Sequence, residues 1–451
     1  MNAALCYGLA VALTRGVSVV ILPWLAHQLT IEAYGQLGLI TALAGLGSML
    51  FGCGLAEGSL RFVRSEQQAG QVMALALALD LGLMLALGFT LPVWAGWLPG
   101  GLQWHWLALL LLSLAAGSVL GLLQCFARQQ GKPQRYLQLA VGQAVLHAGL
   151  LLLLVNLGLG ISGVLLGGAL AALTVAAVAL VAFYRVHRVE FNWAFSRRLL
   201  AYSGPIAAGA ALLWLLNGYE RQWIAALAQP QLLAEVALAG QWGLLAALGC
   251  EPFNLWWFAR RFPLIESGAL HSHGRNSMIG VLWLTGSVCI TTLLAYGLTP
   301  LLFPVALQGA LDWVPWFMLL VLLRQLPTLL NLGVYWQQRS HHVFSINALW
   351  GVLALLLLPL AGQTDAQAIF SLLAALCAGR AIHIIWLAQW LKPLPYPWWA
   401  LLPCIATMLL QLAGALGQIP ILGGSGVLLV LALILALALY LRAQPEATAL
   451  C

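Results

Sequence analysis

The stretch VALTRGVSVVILPWL, residues 11–25, sets an arginine at the centre of a segment otherwise composed for a lipid bilayer. An arginine in the middle of a lone membrane helix costs about 2.5–3.5 kcal/mol on insertion scales. Such a residue is kept only where something compensates it, so the reading of Arg15 bears on fold and function together.

The rest of the chain places that stretch in a membrane. Of 451 residues, 63% are hydrophobic and 7% charged, against about 25% charged in a soluble domain. The mean hydropathy is +0.96. Apolar runs long enough to cross about 30 Å of hydrocarbon recur from end to end. Marking them between polar breaks predicts about fourteen spans, from 4–26 and 36–60 through 201–227 to 397–417 and 422–441. The first run has neither a basic leader nor a small-residue cleavage site, so it reads as the first membrane helix and not a removed signal.

Charge is distributed by loop. Arg61 and Arg64, the Arg128–Arg135 loop, the Arg185–Arg198 loop, Arg260, Arg261, Arg275, Arg339, Lys392 and Arg442 all fall on one side. The positive-inside rule makes that side cytoplasmic, with both termini there. Fifteen of the nineteen Lys and Arg are thereby explained as topology, and the net charge of +7 is not a nucleic-acid footprint. Eight cysteines form no C-x-x-C pair, so no zinc site or disulfide framework is indicated. Neither a cofactor nor a metal is called for.

The longest basic connection, 184–200, separates two halves. RQQGKPQRYLQL (128–139) lies opposite WQQRSHHVFSIN (336–347) at a constant offset, the mark of a parallel repeat. The expected organisation is an all-α polytopic protein with an N-terminal six-helix lobe at 1–183 and a linker at 184–200. A C-terminal six-helix lobe follows at 201–387, and two further helices with a cytoplasmic tail occupy 388–451. The two lobes are expected to enclose a central cavity. G-x-x-x-G spacings at Gly54–Gly58, Gly117–Gly121 and Gly163–Gly167 suit close helix packing.

Four arginines are left inside the spans: Arg15, Arg221, Arg324 and Arg380. They either face an anionic ligand in a water-filled cavity or pair with acids such as Asp80, since charges at this depth do one or the other. Asp80 and Glu251 are the candidates for proton or cation coupling. Pro327, three residues after Arg324, is expected to disturb its helix. Trp214, Trp350 and Trp386 lie away from the interfacial belts that account for most of the twenty tryptophans. No G-x-S-x-G, H-E-x-x-H or Walker A sequence is present, which argues against an enzyme.

LPWLAHQLTIEAYGQLGLITAL (22–43) resembles the opening of the Wzx-type polysaccharide flippases, which pass from an Arg-bearing first helix through an L-t-x-e-x-Y-G turn. The segment from Ser203 and Pro205 to Glu220, Arg221 and Ile224 is similar to that family's seventh helix, with Glu220 where an Asp is usual. ARQQGKPQRY (127–136) is similar to its loop between helices four and five. The resemblance, within the multidrug/oligosaccharidyl-lipid/polysaccharide exporter superfamily, implies a bacterial inner-membrane flippase. Such a protein would move undecaprenyl-pyrophosphate-linked oligosaccharide units, of O-antigen or another surface polysaccharide, by alternating access. Its partners would be that lipid-linked substrate, membrane lipids and other polysaccharide assembly proteins. The competing readings are a drug/cation antiporter of the same superfamily, which would need acids to dominate the cavity, and a membrane-embedded glycan polymerase or ligase, which would need a long periplasmic loop.

Overall fold

Without water to solvate it, a chain this apolar must satisfy its backbone internally, and helices do so within one segment. A computed structural model describes residues 3–441 except 64, 189, 259 and 337–340; the side chains of 3–12, 15, 18, 19, 60, 255 and 341 also lie outside the description. The loop residues Arg64, Arg339 and Arg442 and the side chain of Arg15 thus lie outside the described residues. Among the described residues all regular structure is helical, without a strand.

The chain is a multi-pass membrane protein. Twelve of its helical segments are long and apolar enough to cross a bilayer among the described residues. Two of the fourteen expected spans are not among them. Residues 4–26 do form a helix, α1 (Ala3–Gln28). Residues 201–227 are interrupted: α9 (Trp193–Trp214) stops, and α10 (Glu220–Ala226) starts after a turn.

The chain divides into two compact units, Met1–Leu233 and Ala234–Cys451. In the first, α1 is followed by α2 (Ile31–Gly52), α3 (Leu55–Phe62), α4 (Glu66–Phe89), α5 (Leu91–Ala95), α6 (Trp104–Gln129), α7 (Pro133–Asn156) and α8 (Gly160–Tyr184), then α9 and α10. Local signals start these helices. The Thr30 hydroxyl accepts from the Ala33 N–H, the Ser65 hydroxyl from Gln68 and the Asn192 side chain from Phe195, each relieving one unpaired N–H at a helix start. Leu55, Met73, Phe126, Phe183 and Leu199 share one core. Leu199 belongs to α9, so α9 packs with the first unit. The division therefore falls one helix pair beyond the 184–200 connection.

The second unit runs through α11 (Pro230–Leu248), α12 (Glu251–Phe258), α13 (Arg261–Glu266), α14 (Leu270–Leu302), α15 (Ala310–Leu330), α16 (Leu332–Trp336), α17 (His341–Ala361), α18 (Ala366–Leu391), α19 (Leu402–Ala415) and α20 (Ile421–Leu441). Its centre is α15, the least hydropathic of the twelve spans and the most buried. The reverse holds for α20, the most hydropathic and among the least buried. Lipid tails are as apolar as leucine, so outward faces carry the greasiest residues and less apolar ones collect inside. Trp313, Trp316 and Phe317 of α15 close around Phe370 of α18, with ring centroids 5.3–6.1 Å away. Past Pro327, α15 continues to Leu330 and breaks at Asn331 before α16.

Two of the three G-x-x-x-G pairs pack closely. A Cβ on Gly54 (φ 64°) would come 2.7 Å from the Ser203 carbonyl oxygen, and one on Gly58 would strike the Ser203 hydroxyl. One on Gly163 would lie 3.0 Å from the Leu154 carbonyl carbon, and one on Gly167 would lie 3.1 Å from the Leu151 nitrogen. Gly117 and Gly121 meet nothing within 4 Å. We expect Gly58→Val and Gly167→Val each to lower stability by about 1–3 kcal/mol through overpacking, and Gly117→Ala to stay within about 0.5 kcal/mol. Thermal midpoints of the purified variants in one detergent check this ordering.

Candidate functional site

Several of the polar residues inside the spans lie beside interruptions of the helices. In the first unit α2 stops at Gly52, Cys53 and Gly54 take left-handed conformations (φ 44° and 64°), and α3 restarts at Leu55. A break strands carbonyl groups that water cannot reach. The Ser118 hydroxyl on α6 donates to the Phe51 carbonyl at 3.1 Å. Asp80 on α4 lies beside this break, buried, within electrostatic range of Cys53. Ser118 is near it too, but directs its single proton to Phe51. Neither Asp80 oxygen has a hydrogen-bond partner among the described residues.

The second unit repeats the arrangement. α11 stops at Leu248, Gly249 and Cys250 form the interruption, and α12 begins at Glu251. From α14, the Ser287 hydroxyl donates to the Ala246 carbonyl and the Trp283 indole to the Gly249 carbonyl, both at 2.8 Å. Glu251, half-buried, lies beside Cys250. Glu251 thus opens the helix after one break, and Asp80, on the continuous α4, lies beside the other. The signal was present in the sequence as two Gly-Cys pairs, Gly52–Cys53 and Gly249–Cys250, each leading within a few residues to a glutamate.

The arginines separate into two settings. Arg221 on α10 donates through Nη1 to the Gly38 carbonyl on α2 at 2.9 Å and to the Thr41 hydroxyl at 3.4 Å, so it braces α10 against α2. Glu220 beside it is buried. In the second unit Arg324 on α15 and Arg380 on α18 come within electrostatic range of each other. Arg380 is buried and donates from Nε to the Asn347 side-chain oxygen of α17 at 2.9 Å. The charged or ionisable groups acting on it are Cys377, Tyr335 and Arg324, none of them a carboxylate. The side chain it donates to is thus a neutral amide. Arg15 lies within α1.

Of the three inner tryptophans, Trp214 is structural. It is buried, and its indole donates to the Ala42 carbonyl at 2.9 Å. Trp386 is exposed and stacks on Trp390 at 6.5 Å. Trp350 lies against Gly379, the residue before Arg380, and donates to His383 Nδ1 at 3.3 Å.

Sequence reasoning did not single out a second polar cluster in this unit. Arg261 donates to the Asn331 side-chain oxygen at 3.3 Å, at the break between α15 and α16, and packs over the rings of Phe258, Phe262 and Tyr335. His273 is fully buried between Trp257 and Tyr396, at ring distances of 4.9 and 6.2 Å. Burial pushes the Tyr396 hydroxyl well above the usual phenol range, so it stays neutral. Among the described residues no three His, Cys, Asp or Glu come together as a metal site.

The family described as "Polysaccharide biosynthesis protein" matches residues 2–249. No curated protein sequence matches the chain. Among solved structures, the fold is similar to a lipid II flippase MurJ in an inward closed conformation, at a TM-score of 0.68 and 10% identity over 98% of each chain. It is also similar to a point mutant of the Vibrio cholerae MATE transporter VcmN, at 0.57 and 18% identity over 85% of this chain and 92% of that one. These two neighbours are a flippase and a transporter, and at 10% and 18% identity the likeness is one of fold.

Removing the oxygen that Arg380 donates to leaves a buried cation short of a partner. We expect Asn347→Leu to destabilise by about 1–3 kcal/mol and Asn347→Asp, which keeps the acceptor, to remain stable. Thermal unfolding of the two variants side by side distinguishes them.

Proposed function

We infer the function from one premise: the chain belongs to the polysaccharide biosynthesis protein family. On that premise it is a flippase of the bacterial inner membrane, with both termini cytoplasmic. It carries an undecaprenyl-pyrophosphate-linked oligosaccharide, an O-antigen or other surface-polysaccharide unit, from one leaflet to the other by alternating access. The observation that carries this reading is the Arg380–Arg324 pair, two cations near each other at membrane depth, one buried with an amide as its hydrogen-bond partner. A pyrophosphate is the complementary charge. Guanidinium–phosphate bonds are short, bidentate and strong in a dehydrated setting. Arg15 and Arg221 belong to the cationic set in this proposal.

Asp80 and Glu251 serve coupling. A carboxyl beside a helix break meets a different environment whenever the break straightens, which suits it to a coupling role. Each charge carried through the full membrane potential contributes about 2.3 kcal/mol per 100 mV. A cation antiporter, the competing reading, is disfavoured by two neighbouring arginines, which repel cationic cargo.

The test is a strain lacking this protein. We expect surface polysaccharide to be lost and its undecaprenyl-linked unit to accumulate at the inner membrane, with wild type restoring export. Arg324→Ala and Arg380→Ala, at matched expression, should lower export at least tenfold. Lysine at either position should restore part of it. Normal surface polysaccharide in the deletion strain would refute the flippase reading. Asp80→Asn should slow export at least threefold with unchanged protein level, and full export by that variant would remove Asp80 from the coupling step.

A further inference from the structure

The turn of α18 that carries Arg380 is gripped by two side chains of α17. Asn347 and Trp350 lie three residues apart on that helix, which makes them neighbours on its surface. Asn347 accepts from Arg380 Nε at 2.9 Å, and the Trp350 indole donates to His383 Nδ1 at 3.3 Å. The outer edge of the indole rests on Gly379, where a Cβ would strike it. The ring therefore lies along one full turn of α18, from Gly379 to His383, with Arg380 inside that turn. Glycine at 379 is what lets the indole approach so closely.

That grip bears on how Arg380 can meet an anion. A guanidinium carries five N–H groups in one plane. With Nε committed to Asn347, the Nη groups are left to meet a phosphate end-on. The direction of that edge follows the backbone of Arg380 and the position of the Asn347 oxygen. Arg324 on α15 is a like charge within electrostatic range, so it pushes Arg380 away unless the turn is fixed from the other side. An arginine side chain is long and rotamer-rich, and its fork binds best when it is already held in place. Asn347 holds the guanidinium itself, whereas Trp350 holds the residues on either side of it.

We propose that Trp350 is a positioning residue for Arg380: by bonding His383 and covering Gly379 it fixes the turn that aims the guanidinium at the diphosphate of the cargo. The identity of that cargo rests on the flippase reading above.

Binding of undecaprenyl pyrophosphate and of uncharged undecaprenol to the purified full chain, measured side by side, tests it. The quantity read is the preference for the diphosphate lipid, which a loss of packing that weakens both lipids alike does not move. Wild type should show a preference of at least 100-fold, and Arg380→Gln should lower it at least tenfold. Trp350→Leu and Gly379→Ala disturb the contact from opposite sides, and each should lower it at least fivefold, so the result does not rest on one variant's folding. His383→Leu should do the same, while His383→Asn, which keeps an acceptor near the Nδ1 position, should stay within twofold of wild type. In the Arg380→Gln background Trp350→Leu should change the preference less than twofold, because residues that act as one unit are not additive. An equal loss from Trp350→Leu with and without Arg380, or a full preference in both Trp350→Leu and Gly379→Ala, overturns the proposal and leaves the cargo reading standing. Equal binding of the two lipids by wild type refutes the cargo reading and the proposal with it.

Discussion

A peptide group inside hydrocarbon has no water to bond to, and each one left unpaired costs several kcal/mol. The rest of the structure answers to that constraint. Helices meet it in their interiors, so the informative places are those where a helix is interrupted. The breaks between α2 and α3 and between α11 and α12 are tolerated because neighbouring helices supply side-chain donors. Ser118 serves the first, and Ser287 with Trp283 the second. The two units meet the same problem at corresponding helices with the same class of side chain. An interruption whose backbone is held from outside can bend without losing its hydrogen bonds together, which is what a moving transporter needs.

Charge obeys a related constraint. A guanidinium below the membrane surface has to be hydrogen-bonded, but a hydrogen bond need not cancel its charge. Asn347 satisfies Arg380 with a neutral oxygen, and a carbonyl and a hydroxyl serve Arg221. Had a carboxylate stood in place of Asn347, the second unit would hold an ion pair with little attraction left for cargo. The amide bonds Arg380 without a formal charge of its own, and the proposed recognition of an anionic lipid-linked substrate rests on that arginine keeping its charge. Asp80 and Glu251 lie elsewhere, beside the two breaks, and in the proposed function they serve coupling while the arginines serve recognition.

Much of the fold was legible in the sequence because lipid imposes a simple code. Apolar runs marked the spans, and the L-t-x-e-x-Y-G turn at residues 29–35 is explained by Thr30 capping α2. Gly54–Gly58 and Gly163–Gly167 pack as their spacing implied, whereas Gly117–Gly121 has the same spacing and no neighbour, since spacing alone does not say which face meets a helix. The break at Asn331 was only half legible: Pro327 announced it, but the helix ran on to Leu330. What the sequence could not reveal is long-range. Asn347 as the partner of Arg380, α9 packing with the first unit, and Arg261 closing on Asn331 each join residues far apart in the chain, and no local pattern records them. The repeated Gly-Cys pair was a readable signal of both breaks.

The most direct measurement of the central claim is translocation by the purified protein in liposomes. An undecaprenyl-pyrophosphate oligosaccharide would be placed in one leaflet, and its arrival in the other read with a membrane-impermeant glycosidase. The account predicts transfer that depends on the protein, is at least tenfold slower with Arg324→Gln, Arg380→Gln, and is absent for an uncharged lipid-linked oligosaccharide of the same sugars. Equal transfer of the charged and uncharged lipids, or transfer undiminished in the double variant, would contradict it.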